Sequence, residues 1–161
     1  MNMKSVLLGV CRWAAAVAAV VSLVVMFGGN TASSAQPEQV EQAVTAVLEM
    51  DNMLRADNQM VKRLYGLDPG EFEGCILYYP NTNMMAEELL IVKLGDMSQQ
   101  EAVRAAAQRR LETQKTTFDG YGVEQYAMLT EHSVIEVRGN YVLFVVNAAS
   151  AEAQKAFLSA L

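Results

Sequence analysis

The chain has 161 residues, with 12 Lys and Arg against 18 Asp and Glu and a formal net charge of −6. That length allows one domain plus a targeting segment. The acidic balance argues against a general phosphate-backbone binder or electrostatic docking to anionic lipid, both of which need clustered Lys and Arg.

The first segment to read is the N-terminus. Lys4 and Arg12 precede residues 13–28, WAAAVAAVVSLVVMFG, a run without charge. Basic residues before the run and none just after predict the N-terminus inside and the domain outside. Sixteen residues rising 1.5 Å each reach about 24 Å, short of a ~30 Å hydrocarbon core. Two readings fit. Ser33-Ser34-Ala35 offers the small residues of a cleaved signal peptide. An uncleaved single-span anchor is favoured by the long basic region and the Val- and Leu-rich run. A lipoprotein signal fits poorly, because Cys11 comes before the apolar run and follows Val10. Residues 28–36, GGNTASSAQ, read as a flexible tether without packing residues. The expected organisation is therefore a signal peptide or membrane anchor plus flexible tether over 1–35, then one extracytoplasmic domain over 36–161.

Pro37 suits the first turn of a helix, with Glu38 and Glu41 near its positive end. Val40, Val44, Val47, Leu48 and Leu54 predict a helical stripe running through Met53. Met60, Val61, Leu64 and Tyr65 predict a short helix that Gly66 ends, and Asp68-Pro69-Gly70 a turn. Residues 74–79, GCILYY, and 88–94, ELLIVKL, read as two strands, the second apolar enough to be central.

Over residues 100–121, Val103, Ala107, Leu111, Gln114 and Phe118 recur at helical spacing. Arg109 falls on the opposite side, and Arg104 and Arg110 flank the stripe. Ser98 and Glu101 have capping-box spacing, and Gly120 and Gly122 stop the helix. Residues 123–131 are ambiguous, with Tyr126 and Leu129 as core anchors. Residues 134–138 and 141–146 flank Gly139-Asn140, the chemistry of a tight hairpin. Residues 150–161 close as a helix burying Ala153, Phe157 and Leu161. The simplest solution is α+β: a four-stranded antiparallel sheet from two β-hairpins, with helices packed on one face, preceded by the N-terminal hydrophobic helix.

Leu64-Tyr65-Gly66, Ala86-Glu87-Glu88-Leu89, Arg109-Arg110-Leu111, Phe118 with Tyr121, and Arg138-Gly139-Asn140-Tyr141-Val142 occur in this order. Together they resemble the bacterial domain-of-unknown-function family 4358, whose members are often described as lipoproteins. The resemblance covers roughly residues 40–157. It implies an extracytoplasmic bacterial domain, and it carries no activity and no functional residues. The position of Cys11 departs from the lipoprotein pattern.

Candidate chemistry is sparse. Cys75 and His132 form the one thiol–imidazole combination, but Cys75 sits among Ile76 and Leu77, where a cysteine acts as a small inert hydrophobe. Glu87 and Glu88 are strand neighbours and point to opposite faces. One should face solvent and the other meet Arg110 or Arg104, as a structural ion pair rather than a ligand clamp. Asp68, Glu71 and Glu73 share a loop but lack the spacing of a calcium loop. Tyr65, Tyr78, Tyr79, Tyr121, Tyr126 and Tyr141 read mostly as core rim. Met84-Met85 beside a turn presents soft apolar surface suited to a partner or a membrane, with packing under the first helix as the plainer reading.

No catalytic, cofactor-binding or metal residues are assigned. The expectation is a non-enzymatic binding or assembly module, membrane-tethered or secreted, with a protein or peptide partner, membrane contact through the N-terminal segment and no nucleic acid. An aromatic or apolar patch on the sheet face left free of helices would support it. The alternative is an enzyme using Cys75 or a Glu–Arg pair. Self-association through a free sheet edge is a third reading.

Overall fold

The structure, a computed structural model, describes residues 31–161, so the apolar run at 13–28 lies outside the described residues. Residues Ala32–Leu161 form one compact unit. The chain begins it with helix α1 (Pro37–Thr45), whose Gln36 and Gln39 side chains and backbones cap each other. It turns into strand β1 (Met53–Arg55) and then helix α2 (Asn58–Tyr65), which Asp57 caps and Gly66 ends in the left-handed conformation. A 3₁₀ turn (Pro69–Glu71) leads to strands β2 (Gly74–Pro80) and β3 (Glu88–Lys93).

A second 3₁₀ turn (Met97–Gln99) enters the long helix α3 (Gln100–Phe118). Helix α4 (Val123–Glu131), strands β4 (Ser133–Arg138) and β5 (Tyr141–Val146) and helix α5 (Ser150–Ala160) complete it. The α3 cap differs from the Ser98–Glu101 reading. Asp96 accepts from the Ser98 N–H, and the Gln99 side chain accepts from the N–H groups of Gly95 and Asp96, one turn earlier.

The sheet has five strands in the order β1-β2-β3-β5-β4, all antiparallel. The expectation of four strands is corrected by β1, which was read as the end of the first helix. That helix stops at Thr45, and Met53, Leu54 and Arg55 pair with Pro80, Tyr79 and Tyr78. Three residues are too few to show a period of two, so β1 is specified by the ladder it completes rather than by its own pattern. The Gly139-Asn140 hairpin is as read. Gly139 takes φ +55°, the conformation that the first central position of a tight two-residue turn demands.

Helices cover both faces of the sheet, not one. Leu77, Leu90, Val92, Val142, Phe144 and Val146 meet α2, α3 and α4. Ile76, Leu89, Ile91, Tyr141, Leu143 and Val145 meet α1 and α5, where Val40, Val44, Ala153 and Phe157 are fully buried. Every residue of β3 and β5 is buried. Runs such as ELLIVK and YVLFVV do not alternate because neither side meets water, which is the pattern of a strand covered twice. Each large side chain so buried stabilises the fold by roughly 1.5–3 kcal/mol. Gly74 is what lets α1 close on the second face. A Cβ there would lie 2.4 Å from Pro37 Cγ.

Residues 33–35 are docked rather than loose. The Ser33 N–H donates to Asn140 Oδ1 at 2.7 Å, the Asn140 amide returns a bond to the Ser33 carbonyl, and Ser33 Oγ donates to the Leu161 carbonyl. Tyr141 Oη donates to the Ala35 carbonyl at 2.7 Å. The chain therefore joins the domain at the β4–β5 turn. That is one end of the sheet; the β2–β3 loop lies at the other.

Candidate functional site

The site is built around the first residue of β3. Strand parity sends Glu88, Leu90 and Val92 to the α2–α4 side and Glu87 away from it. Glu88 is 1% exposed, and a lone buried carboxylate costs several kcal/mol. The fold meets this with Arg110, from the flank of the α3 stripe. Its Nε lies 3.0 Å from Oε1 and its Nη2 2.7 Å from Oε2, a two-pronged pair. Tyr65, the last residue of α2, donates its hydroxyl to Glu88 Oε1. Burial, with the adjacent carboxylate, pushes the Tyr65 phenol well above its ordinary range. Its ring packs edge-on to Phe144 at 6.4 Å. The expected ion pair is thus present with Arg110. Arg104 pairs with Glu101 instead.

Arg110 also opens outward. It forms part of a cleft of about 300 Å³ between α2, α3 and the β2–β3 loop. The walls bring Arg63 and Leu64 from α2, Gln114 and Phe118 from α3, and Asn81 and Asn83 from the loop. No Asp or Glu lines this cleft, in a chain where acidic residues outnumber basic ones. Glu88 occupies the Nε and Nη2 side of the guanidinium, and among the described residues Nη1 has no acceptor. The side-chain amides of Asn81, Asn83 and Gln114 likewise show no hydrogen bond within the described residues.

A second cleft of about 350 Å³ lies across Met85, which lines both. Glu49, Asp51 and Glu87 line it, and Glu87 Oε2 is buried there without a hydrogen-bond partner. Glu87 therefore does not simply face solvent. Met84 is 62% exposed at the loop tip, not packed under α1.

The other candidates are not brought together. Cys75 pairs with Val92 in the ladder, while His132 follows α4 beside the Ser133–Val146 pair, with β3 and β5 lying between β2 and β4. Three strand spacings and four residues of strand put them on the order of 20 Å apart. Burial pushes the Cys75 thiol up to about 12, the opposite of an activated nucleophile. Asp68 caps the first 3₁₀ turn and pairs with Lys62 at 2.7 Å, and Glu73 pairs with the buried Lys93 at 3.0 Å. Tyr65 and Tyr141 are buried, Tyr78 and Tyr79 half-buried, and Tyr121 exposed. Tyr126, read as a core anchor, is 39% exposed, because Leu129 takes the inward position on α4. The sheet face expected to stand free for a partner is covered.

Arg63 carries no sequence signal of its own, and Asn81 and Asn83 read only as part of the turn after β2. One signal was present. Gln114 is a polar residue inside the apolar stripe of α3, between the buried Leu111 and Phe118, and it borders the cleft.

Among the described residues no helix is long and apolar enough to cross a membrane. No curated protein and no solved structure matches the chain. Residues 46–147 match the family described as Domain of unknown function (DUF4358). That stretch takes in β1 to β5 with α2, α3 and α4, hence the first cleft, all of the second but Ala148 and Ala149, and the Tyr65–Glu88–Arg110 cluster, and the chain belongs to this family.

Proposed function

We propose that this protein is a non-enzymatic binding module, held at the outer face of a bacterial membrane by its N-terminal segment, that presents the β2–β3 end of its sheet to a partner. One observation carries the reading. Among the described residues the exposed large apolar side chains are Val47, Leu54, Met84, Tyr121, Val123 and Tyr126. All six lie toward the end that holds both clefts. The chain joins the domain at the opposite end, where Ser33 is bonded to Asn140. The length of β3, roughly 17 Å, separates the two. A tethered domain of this build carries its sticky surface away from its attachment point. Exposed apolar side chains gathered at one end offer surface that an interaction could cover.

The enzymatic alternative draws little from the geometry. Cys75 and His132 are far apart, and the Glu–Arg pair spends both carboxylate oxygens inside the fold.

A photocrosslinking residue placed at Met84 or Val123, with Arg138 at the tether end as control, tests the proposal in intact membranes. Discrete adducts from the first two and none from Arg138 are expected. Adducts from Arg138 alone, or from none of the three, would refute it.

A further inference from the structure

We infer that the cleft between α2, α3 and the β2–β3 loop binds the carboxylate of a peptide-like ligand through Arg63 and the free Nη1 side of Arg110. The inference deepens the binding-module reading and rests on it. A guanidinium has five N–H groups in a planar fork. Glu88 engages Nε and Nη2 of Arg110, Nη1 has no acceptor among the described residues, and Arg110 lines the cleft. Glu88 is therefore a positioning residue: it fixes the plane of the guanidinium before any ligand arrives, so less ordering is lost on binding.

The charge count decides the class of ligand. Arg110 is neutralised by Glu88, Arg63 is not, and no acidic residue lines the cleft. One uncompensated positive charge suits a singly charged anion better than a phosphate dianion, and it disfavours an amine. The amides of Asn81, Asn83 and Gln114 can bond to the donors and acceptors of a peptide linkage. Leu64, Phe118 and Met85 supply apolar wall for a small side chain. A volume of about 300 Å³ holds a ligand of one or two residues, not a folded partner surface. A carboxylate beside an amide bond could come from a peptide C-terminus or from a free small acid, and the probes below separate them.

The test uses the full-length ¹⁵N-labelled chain in detergent micelles, titrated with N-acetyl-Ala-Ala, with the same dipeptide as its C-terminal amide, and with acetate. The acid form should bind at least about tenfold more tightly than the amide and shift the side-chain NH₂ signals of Asn81, Asn83 and Gln114. Arg63→Gln, at an exposed position, should weaken the acid by about fivefold or more and leave the amide unchanged. Gln114→Ala should weaken both. Acetate binding as tightly as the dipeptide would overturn the peptide-like ligand in favour of a small acid. Equal binding of acid and amide, shifts confined to other residues, or no saturable shift would overturn carboxylate recognition. Crosslinks from Met84 that persist while every probe fails would remove this inference alone and leave the binding module standing.

Discussion

The two ends of the sheet are built on opposite principles. At the end where Ser33 meets the β4–β5 turn the polar groups are engaged: Ser33 with Asn140 and Leu161, Tyr141 with Ala35, Lys93 with Glu73. At the cleft end Arg110 Nη1 and the amides of the β2–β3 loop are unspent, Glu87 Oε2 is buried without a partner, and large apolar side chains stand exposed. Of these polar groups only Glu87 Oε2 is buried without a partner; the loop amides face water. The difference teaches that the polar groups at one end are paired within the fold, while at the other a buried carboxylate oxygen and several large apolar side chains are not.

The hardest blow to this contrast should come from Glu88→Ala. It strips Arg110 and Tyr65 of their shared acceptor and leaves a half-buried guanidinium unpaired. A loss of about 3–5 kcal/mol in urea denaturation is expected. Glu88→Gln combined with Arg110→Gln should recover part of it, since the charge is then removed on both sides. A loss under about 1 kcal/mol for Glu88→Ala would show that the cluster is not what holds the cleft together.

Alkali should act next. Cys75 is pushed up to about 12 by burial, and Tyr141 likewise to about 12 by burial with Glu38 and Glu73 nearby. Both groups are held protonated in the folded state, whereas in the unfolded chain they release the proton at lower pH. Their contribution is fully present below about pH 9 and is lost as pH rises toward 12. For Cys75 alone this amounts to roughly 3 kcal/mol or less. Thermal melts from pH 7 to 11 should show the decline, and Cys75→Ala should make it shallower, with Tyr141 and Tyr65 leaving the remainder. An identical pH profile for that variant would remove the thiol from the explanation.

A smaller change is expected at the junction. Asn140→Ala deletes both bonds to Ser33 and should cost about 1–2 kcal/mol. Amide exchange at Ser33 should quicken while exchange in β3 stays slow. Protection of Ser33 unchanged in the variant would mean the junction is held by Tyr141 and Leu161 instead.

The smallest effect on stability is the most telling for function. Arg63→Gln, Met84→Gln and Val123→Ser sit at exposed positions of the cleft end and should each alter stability by no more than about 0.5 kcal/mol. Loss of partner crosslinking in these variants with unchanged melting curves would sharpen the contrast between the ends. A drop in melting temperature of the size seen for Asn140→Ala would break it.

Much of the scaffold was legible because it is local. Pro37, Gly66 and Gly139 each do their work within a turn, and the apolar period of α3 is carried by its own residues. The strand β1 was not legible, since three residues carry no period. The layering was misread for a subtler reason. The unbroken apolar runs of β3 and β5 already implied cover on both faces, but only the count of helices on each side makes that a fold. In the site, Glu88 with Arg110 was foreseeable from strand parity and helix flank. Asn81, Asn83 and Arg63 were not, because an exposed amide or arginine looks the same in sequence whether it borders a cleft or open water.

Sequence alone determined most of the elements, the hairpin turn and the acidic balance, which are properties of short windows or of composition, and the resemblance to family 4358, which lies in the order of short motifs along the chain. The tertiary structure decided which end the chain joins, which helices share a face, and that one guanidinium is held by a buried carboxylate while its other edge stays open. Those depend on contacts between residues tens of positions apart, where burial sets the energy of every charge, and no window of the chain contains them.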